Sequence, residues 1–85
     1  MTYKITIRKT ALKFIQKQER KNQVRLLKAI NSLPYSGDVK KMSGYSSLYR
    51  LRVGDFRVLF EMSGMSDTIT LIDITDADNR GQIYK

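Results

Sequence analysis

Three arginines, Arg50, Arg52 and Arg57, lie on either side of a Gly54-Asp55 pair in the middle of the chain. Alternate residues of a β-strand point to the same face, so Arg50 and Arg52 would share a face of one strand. A guanidinium presents a planar fork of donors that matches the oxygens of a phosphate. The spacing therefore predicts a site for a phosphate of a polyanion, provided that Arg57 lies on the same face.

A β-hairpin is the element that would bring the three arginines together. Glycine at the first central position of Gly54-Asp55 suits a type II′ turn. In the register that follows, Arg52 lies opposite Arg57, on the face that also carries Arg50. The other face is apolar and should pack on a core: Tyr49, Leu51, Val53, Phe56, Val58 and Phe60. Like charges in opposition destabilise a strand pair, which favours a functional role for the arginines over a merely solvated sheet face.

The charge of the chain favours the same kind of partner. The net charge is +8, which is typical of proteins that bind nucleic acid or another polyanion. Residues 1–57 hold 14 Lys and Arg against 3 Asp and Glu, whereas residues 58–85 hold 2 against 5. The basic surface is therefore expected in the first two-thirds of the chain.

Missing residue types exclude several classes of chemistry. The chain has no cysteine and no histidine, so thiolate metal sites and imidazole catalysis are excluded. The acids Asp73, Asp76 and Asp78 lack the loop frame of a cation site, and no metal or other cofactor is expected. No apolar run is long enough for a membrane span, and the N-terminus lacks a signal-peptide pattern. We expect a single cytoplasmic domain covering residues 1–85.

The N-terminal third predicts a strand followed by two helices. Alternating apolar residues favour a strand over residues 3–8, and Thr10 is a candidate N-cap for the first helix. A polar stretch at residues 19–22 indicates a break before a second helix, which Pro34 ends. The apolar stripe of that second helix is predicted to contain Val24, Leu27, Ile30 and Leu33, with Leu26 beside them.

Residues 34–47 are predicted to form the longest irregular segment. Lys40 and Lys41 there could contact backbone phosphates, and Tyr45 could stack on a base. A surface loop that contacts no RNA is an equally good interpretation. Residues 68–75 follow the hairpin as a strand with apolar residues on both faces, which is typical of a central, doubly covered position.

Three segments resemble the RelE/ParE superfamily, the bacterial toxins of type II toxin–antitoxin systems. They are Lys41–Gly44, Leu48–Glu61 with the arginine hairpin, and Arg80-Gly81-Gln82-Ile83-Tyr84. The resemblance implies an α+β fold of order β-α-α-β-β-β. A small, mainly antiparallel twisted sheet would carry the two N-terminal helices on one face.

Similarity to the RelE branch implies a ribosome-dependent mRNA endoribonuclease that needs no metal. The ribose 2′-OH attacks the adjacent phosphate and leaves a 2′,3′-cyclic phosphate and a 5′-OH. By the motif, Arg57 and Arg52 would bind the scissile phosphate with Arg50 as a helper, and Tyr84 would transfer a proton. Arg80 matches a commonly basic position of the family. Asp78 stands where an arginine is found in that branch, and would act as a base or as a group that aligns Arg52 or Arg57.

Two other functions remain open on the sequence. The ParE branch shares the hairpin but inhibits DNA gyrase without catalysis, and a basic RNA-binding module would have no activity. Either toxin branch implies a cognate antitoxin, through which the complex would bind operator DNA. The RelE branch adds mRNA in the ribosomal A site and ribosomal RNA as partners.

Overall fold

The structure, a computed structural model, describes residues 2–44 and 47–79. Two helices and five strands follow one another as β1 (Thr2–Ile7), α1 (Lys9–Gln16), α2 (Arg20–Asn31), β2 (Asp38–Lys41), β3 (Leu48–Val53), β4 (Phe56–Gly64) and β5 (Ile69–Asn79). The strands form one sheet in the order β1-β5-β4-β3-β2. Only the β1–β5 pair in it is parallel. The predicted α+β fold is confirmed. Within the described ranges, no helix is long and apolar enough to cross a membrane.

The hairpin between β3 and β4 has the predicted register. Val53 pairs with Phe56 and Arg52 pairs with Arg57. Gly54 has φ +59°, whereas no non-glycine residue of the described chain has a positive φ. Asp55 therefore has a negative φ, which distinguishes the predicted type II′ turn from type I′.

The core lies between the helices and one face of the sheet. α1 contributes Ala11 and Ile15, and α2 contributes Leu26 and Ile30. The sheet contributes alternate residues of its central strands: Leu51, Val53, Phe56, Val58, Phe60, Ile72, Ile74 and Ala77. Because side chains alternate along a strand, the residues between these positions face away from the helices. Arg50, Arg52 and Arg57 all lie on that outer face.

The stripe of α2 differs from the prediction. Leu26, Ile30 and Leu33 are buried, whereas Val24 and Leu27 are 52% and 37% exposed. A helix turns through about 100° per residue, so a run at a constant spacing of three drifts around the axis by about 60° per step. The positions that stay on one face are those at spacings of four and three.

The sequence predicted the N-cap of α1 and a break between the two helices. Arg8 is the N-cap of α1 and makes no side-chain capping bond, so Thr10 lies inside the helix and the predicted cap was wrong. The predicted break between the helices is present. There Gln23 donates from Nε2 to the backbone oxygens of Gln16 (3.1 Å) and Gln18 (2.8 Å). A side chain of α2 thus satisfies carbonyls that the end of α1 leaves unpaired.

The segment predicted to be irregular contains a strand. β2 pairs antiparallel with β3 at the edge of the sheet, which places Lys40 opposite Arg50 and Lys41 opposite Tyr49. Gly37 precedes β2 with φ +110°. A Cβ at Gly37 would lie 2.8 Å from Cδ1 of the buried Leu51, so a side chain there would be strained by the positive φ and would also have to displace Leu51.

β5 occupies the predicted central position between β1 and β4. Both described helices pack on one face of the sheet, and the other face of β5 carries Asp73, so the expected double cover was wrong. Asp73 accepts hydrogen bonds from Thr6 Oγ1 (3.1 Å) and Arg8 Nε (2.9 Å). The bond from Arg8, and then the charge of the carboxylate, raise the pKa of Arg8.

Candidate functional site

A β-bulge in β5 decides which acidic side chain reaches the arginines. Phe60 pairs with Ile74, but its neighbour Leu59 pairs with Asp76, so Thr75 is an extra residue in β5. Thr75 Oγ1 donates to the backbone oxygen of Leu59 at 3.3 Å. An extra residue reverses the alternation of faces beyond it. The bulge therefore turns Asp78, which would otherwise share a face with Ile74, to the outer face of the sheet.

Asp78 lies directly opposite Arg57 across the β4–β5 ladder. Arg57 donates from Nε to Asp78 Oδ1 at 3.2 Å and from Nη2 to Oδ2 at 2.8 Å. The two side chains are 20% and 30% exposed. A fork of two bonds in a mostly buried setting fixes the plane of the guanidinium. Of the roles predicted for Asp78, the contact matches alignment of Arg57.

A second carboxylate lies on the other side of the arginines. Asp38 pairs with Arg52 across the β2–β3 ladder. Its Oδ1 lies 3.9 Å from Arg50 Nη2, and its Oδ2 lies 3.8 Å from Arg52 Nε. These separations exceed hydrogen-bond length, and Asp38 is 57% exposed, so both contacts are loose ion pairs.

The opposition of Arg52 and Arg57 thus belongs to a row of four charges across four strands. The row reads Asp38, Arg52, Arg57 and Asp78. Each arginine has a carboxylate on its outer side, which offsets the repulsion between the two guanidiniums. The repulsion alone is therefore no longer an argument for a bound phosphate. The sequence analysis missed Asp38, although its place in β2 could have been inferred had the edge strand been recognised.

The cations that share a cavity form a different set. A cleft of about 260 Å³ is lined by Lys40, Lys41, Met42, Ser43, Arg50 and Arg57. Among the described residues, the four charged members of this lining are all cations. We call it the cationic cleft. It combines the arginines of two strands with the lysines of the edge strand β2.

The predicted site residues fall into three groups. Arg50, Arg57, Lys40 and Lys41 line the cationic cleft, although Lys41 pairs with Tyr49 and so alternates toward the core-facing side of β2. Arg52 lies on the same face of the sheet but outside the lining of the cleft. The residues Tyr45, Arg80 and Tyr84 lie outside the described part of the chain.

Two donors on the outer face have no hydrogen-bond partner within the described residues. They are the Nε atoms of Arg50 and Arg52, both buried. A buried donor without an acceptor costs about 1–3 kcal/mol. No group of acidic side chains in residues 2–44 and 47–79 could hold a metal ion.

Comparison with known structures gives matches over nearly the whole chain. A chain of the crystal structure of the archaeal RelE–RelB complex from Pyrococcus horikoshii OT3 superposes with a TM-score of 0.76 at 30% sequence identity, covering 96% of this chain and 99% of that chain. A chain of the RelB–RelE antitoxin–toxin complex from Methanococcus jannaschii superposes with a TM-score of 0.68 at 24% identity, covering 93% and 94%. The second likeness shows the fold alone. No protein-family model matches the sequence, and no curated protein matches it significantly.

The first match and the fold together settle the class of the protein. The two-helix, five-strand architecture matches a RelE-like fold, and the superposition at 30% identity covers 96% of this chain and 99% of the other. The chain belongs to the RelE family of toxins.

Proposed function

We propose that the protein is the toxin of a toxin–antitoxin module and cuts mRNA in the ribosomal A site. In the reaction the ribose 2′-OH attacks the adjacent phosphorus, and the bond to the 5′-oxygen of the next nucleotide breaks. The products carry a 2′,3′-cyclic phosphate and a 5′-OH. Translating ribosomes place this activity in the cytoplasm.

The observation that carries the proposal is the charge of the cationic cleft. Lys40, Lys41, Arg50 and Arg57 line about 260 Å³, and no carboxylate of residues 2–44 and 47–79 belongs to the lining. Lys40 lies on the same face as the arginines, because it pairs with Arg50. The attacked phosphate passes through a dianionic phosphorane. Cations held in place before the reaction stabilise such a charge, and this is usually the largest contribution to catalysis.

Arg57 is the residue best prepared for that role. Its side chain is only 20% exposed and its orientation is fixed by Asp78. Arg50 is the second candidate, because it lines the cationic cleft and its side chain is only 17% exposed. Arg52, which borders Asp38 and not the cleft, acts on RNA beside the attacked phosphate.

Proton transfer is assigned to Tyr84 in this proposal. A phenol near several cations ionises more readily, and an ionised phenol can accept the proton of the 2′-OH. Arg80, four residues earlier, supplies one more cation to the phosphate. Tyr45 stacks on a base, and Lys40 and Lys41 contact backbone phosphates beside it.

The cognate antitoxin is the second partner. Both structural neighbours are complexes of RelE with RelB. A chain of net charge +8 favours an acidic partner segment. The antitoxin covers the cationic cleft or displaces the segment with Tyr84, and it supplies the contacts to operator DNA.

Mapping of RNA ends tests the proposal. Purified protein is incubated with translating ribosomes, and the 5′ ends of the mRNA and the chemistry of its 3′ ends are determined. The proposal predicts new 5′-OH ends within the A-site codon, matched by 2′,3′-cyclic phosphates, and no cutting of the same mRNA without ribosomes. If the mRNA stays intact and gyrase is trapped on cleaved DNA, the proposal is wrong and the protein has the ParE-type function. If the mRNA stays intact and gyrase is unaffected, the protein is a basic RNA-binding module without activity.

A further inference from the structure

The turn of the arginine hairpin is contacted by a side chain from the helical layer. Gly54 is the first residue of that turn and has φ +59°. A Cβ at Gly54 would lie 2.6 Å from Nη2 of Arg25 and 3.0 Å from both its Cζ and its Nη1. The guanidinium of Arg25, a residue of α2, therefore occupies the place that a side chain at residue 54 would take.

Packing on the turn, and not an ion pair, sets the position of Arg25. Arg8, Arg50, Arg52 and Arg57 each lie within 4 Å of an aspartate, whereas no carboxylate of residues 2–44 and 47–79 lies that close to Arg25. Both Nη atoms of Arg25 face Gly54. The forked end of the side chain is thus the part that contacts the turn.

Both helices contact the end of the hairpin. The ring of Phe14 in α1 is in edge-to-face contact with Phe56, 5.9 Å between centroids. Arg25 in α2 packs on Gly54. Gly54 and Phe56 are the neighbours of Asp55 in the chain, so the two contacts support the turn from the helical side.

The supported turn lies next to the opposed arginines. Val53 pairs with Phe56 beside the turn, and the next pair is Arg52 with Arg57. Opposed like charges destabilise a strand pair. The aspartates that offset this repulsion lie on the neighbouring strands, β2 and β5, and neither of them holds the turn itself. A contact that fixes the turn keeps the two strands together where the repulsion acts.

We propose that Arg25 is a positioning residue for the cleavage reaction. By packing on Gly54 it fixes the end of the hairpin, and so it holds the backbone of Arg57 in the place from which the guanidinium reaches the attacked phosphate. Asp78 orients the side chain of Arg57, and Arg25 positions the strand that carries it. The inference rests on the proposed function and adds a residue from the helical side of the sheet to it.

Three substitutions in α2 separate the contact from the charge. Arg25→Lys keeps the charge and loses the fork of two Nη atoms, whereas Arg25→Ala loses both. Lys28→Ala is the control, because it removes an exposed cation from the same helix. Arg25 is also exposed, so none of the three variants opens the core. Circular dichroism establishes that each variant keeps the fold.

Amide hydrogen exchange, followed by NMR, reports on the end of the hairpin without RNA. In Arg25→Lys the amides of Val53 and Phe56, which close the turn, should exchange at least about tenfold faster than in the wild type. The amides of Tyr49 and Phe60, a pair at the other end of the same strands, should keep their rates. Unchanged exchange at Val53 and Phe56 would overturn the proposal.

A double-mutant cycle with Gly54→Ala tests the contact itself. The new methyl group should displace the guanidinium of Arg25, because the end of a long side chain moves more readily than the backbone. Gly54→Ala should therefore lower the equilibrium constant of folding by at least about threefold less in the Arg25→Ala background. Gly44→Ala, at φ +84° with nothing within 4 Å, should cost the same in both backgrounds. A Gly54→Ala cost that does not depend on Arg25 would contradict the proposal.

Single-turnover cleavage of ribosome-bound mRNA shows whether the contact serves the reaction. At saturating protein, Arg25→Lys and Arg25→Ala should both cut about tenfold more slowly than the wild type, because a small displacement of a catalytic group slows a reaction. The concentration of Arg25→Lys at half-saturation should change less than about twofold. Lys28→Ala should cut at nearly the wild-type rate. A wild-type rate for Arg25→Lys, or an equal loss for Lys28→Ala, would overturn the proposal.

The wild-type protein separates failure of this inference from failure of the proposed function. If the wild type leaves the mRNA intact, the proposed function is wrong, and the role of Arg25 in cleavage is wrong with it. If the wild type cuts in the A site and both Arg25 variants cut equally fast, only the inference about Arg25 is wrong.

Discussion

Asp78 and Arg57 face each other across the β4–β5 ladder and share two hydrogen bonds, of 3.2 and 2.8 Å. The pair exists because the bulge at Thr75 turns Asp78 away from the core. The carboxylate holds the guanidinium in one plane and also reduces its charge. In the proposed function an RNA phosphate shares Arg57 with Asp78, so substitution of Asp78 should affect RNA binding and catalysis differently.

Asp78→Asn should change RNA binding and cleavage in opposite directions. Loss of the carboxylate removes a charge-assisted bond and should lower the free energy of unfolding by about 1–3 kcal/mol. RNA should bind more tightly, because a competing negative charge is gone. Cleavage at saturating ribosomes should be slower, since Arg57 loses its alignment. Urea unfolding, RNA binding and single-turnover cleavage measure the three effects.

Asp76→Asn is the control, because it removes the same charge two residues away. The Asn oxygen can still accept the bond from Ala77 that Asp76 Oδ1 accepts now. Its stability and cleavage rate should stay near those of the wild type. If both variants behave alike, the loss of charge and not the contact with Arg57 is responsible.

Arg50→Gln should impair cleavage more than Arg52→Gln. Arg50 lines the cationic cleft and is 17% exposed, whereas Arg52 is 38% exposed and lies outside the lining. Loss of a cation in contact with the phosphorane costs about 10²–10³ in rate. The smaller effect of Arg52→Gln should appear mainly as weaker binding. A larger loss of rate for Arg52 would show that the cleft does not mark the attacked phosphate.

Gly37→Ala should destabilise the protein through a steric clash. The new Cβ would lie 2.8 Å from Leu51 Cδ1, in the buried core, at a φ of +110°. Gly44→Ala is the matched control, since Gly44 also has a positive φ of +84° but nothing within 4 Å. The clash should make the Gly37 variant less stable than the Gly44 variant by about 1–3 kcal/mol in urea unfolding. Equal costs would mean that backbone strain alone accounts for both.

Two adjacent leucines test the revised face of α2. Leu26 is fully buried and Leu27 is 37% exposed. Leu26→Ala should lower the free energy of unfolding by about 2–5 kcal/mol. Leu27→Ala should cost about 1 kcal/mol or less, because part of its side chain already contacts water. A larger loss of stability for Leu27→Ala than for Leu26→Ala would support the apolar face that was predicted from the sequence.

The hairpin was predictable because its signals are local. A glycine turn and strict alternation from Tyr49 to Phe60 fix the register, and the register fixes the face of every arginine. The fold class followed from the order of the elements and from the resemblance to the family. Val24 and Leu27 are exposed in α2, which shows that apolar residues at a constant spacing of three do not all lie on one face of a helix.

The contacts around the arginines were not predictable in the same way. β2 has four residues at a sheet edge, too few for a clear alternation, so Asp38 was not placed beside Arg52. The bulge adds a single residue to β5, and the sequence does not mark which residue is extra. Both carboxylates therefore depend on long-range pairing that only the assembled sheet defines.

The central claim is that Arg57 binds the phosphate that is attacked, and single-turnover cleavage of ribosome-bound mRNA tests it most directly. Arg57→Ala, with its fold verified by circular dichroism, is compared with the wild type at saturating protein. A fall of at least about 10²-fold in the rate is predicted, because the phosphorane loses its best-ordered cation. Cleavage by the folded variant at the wild-type rate would contradict the account.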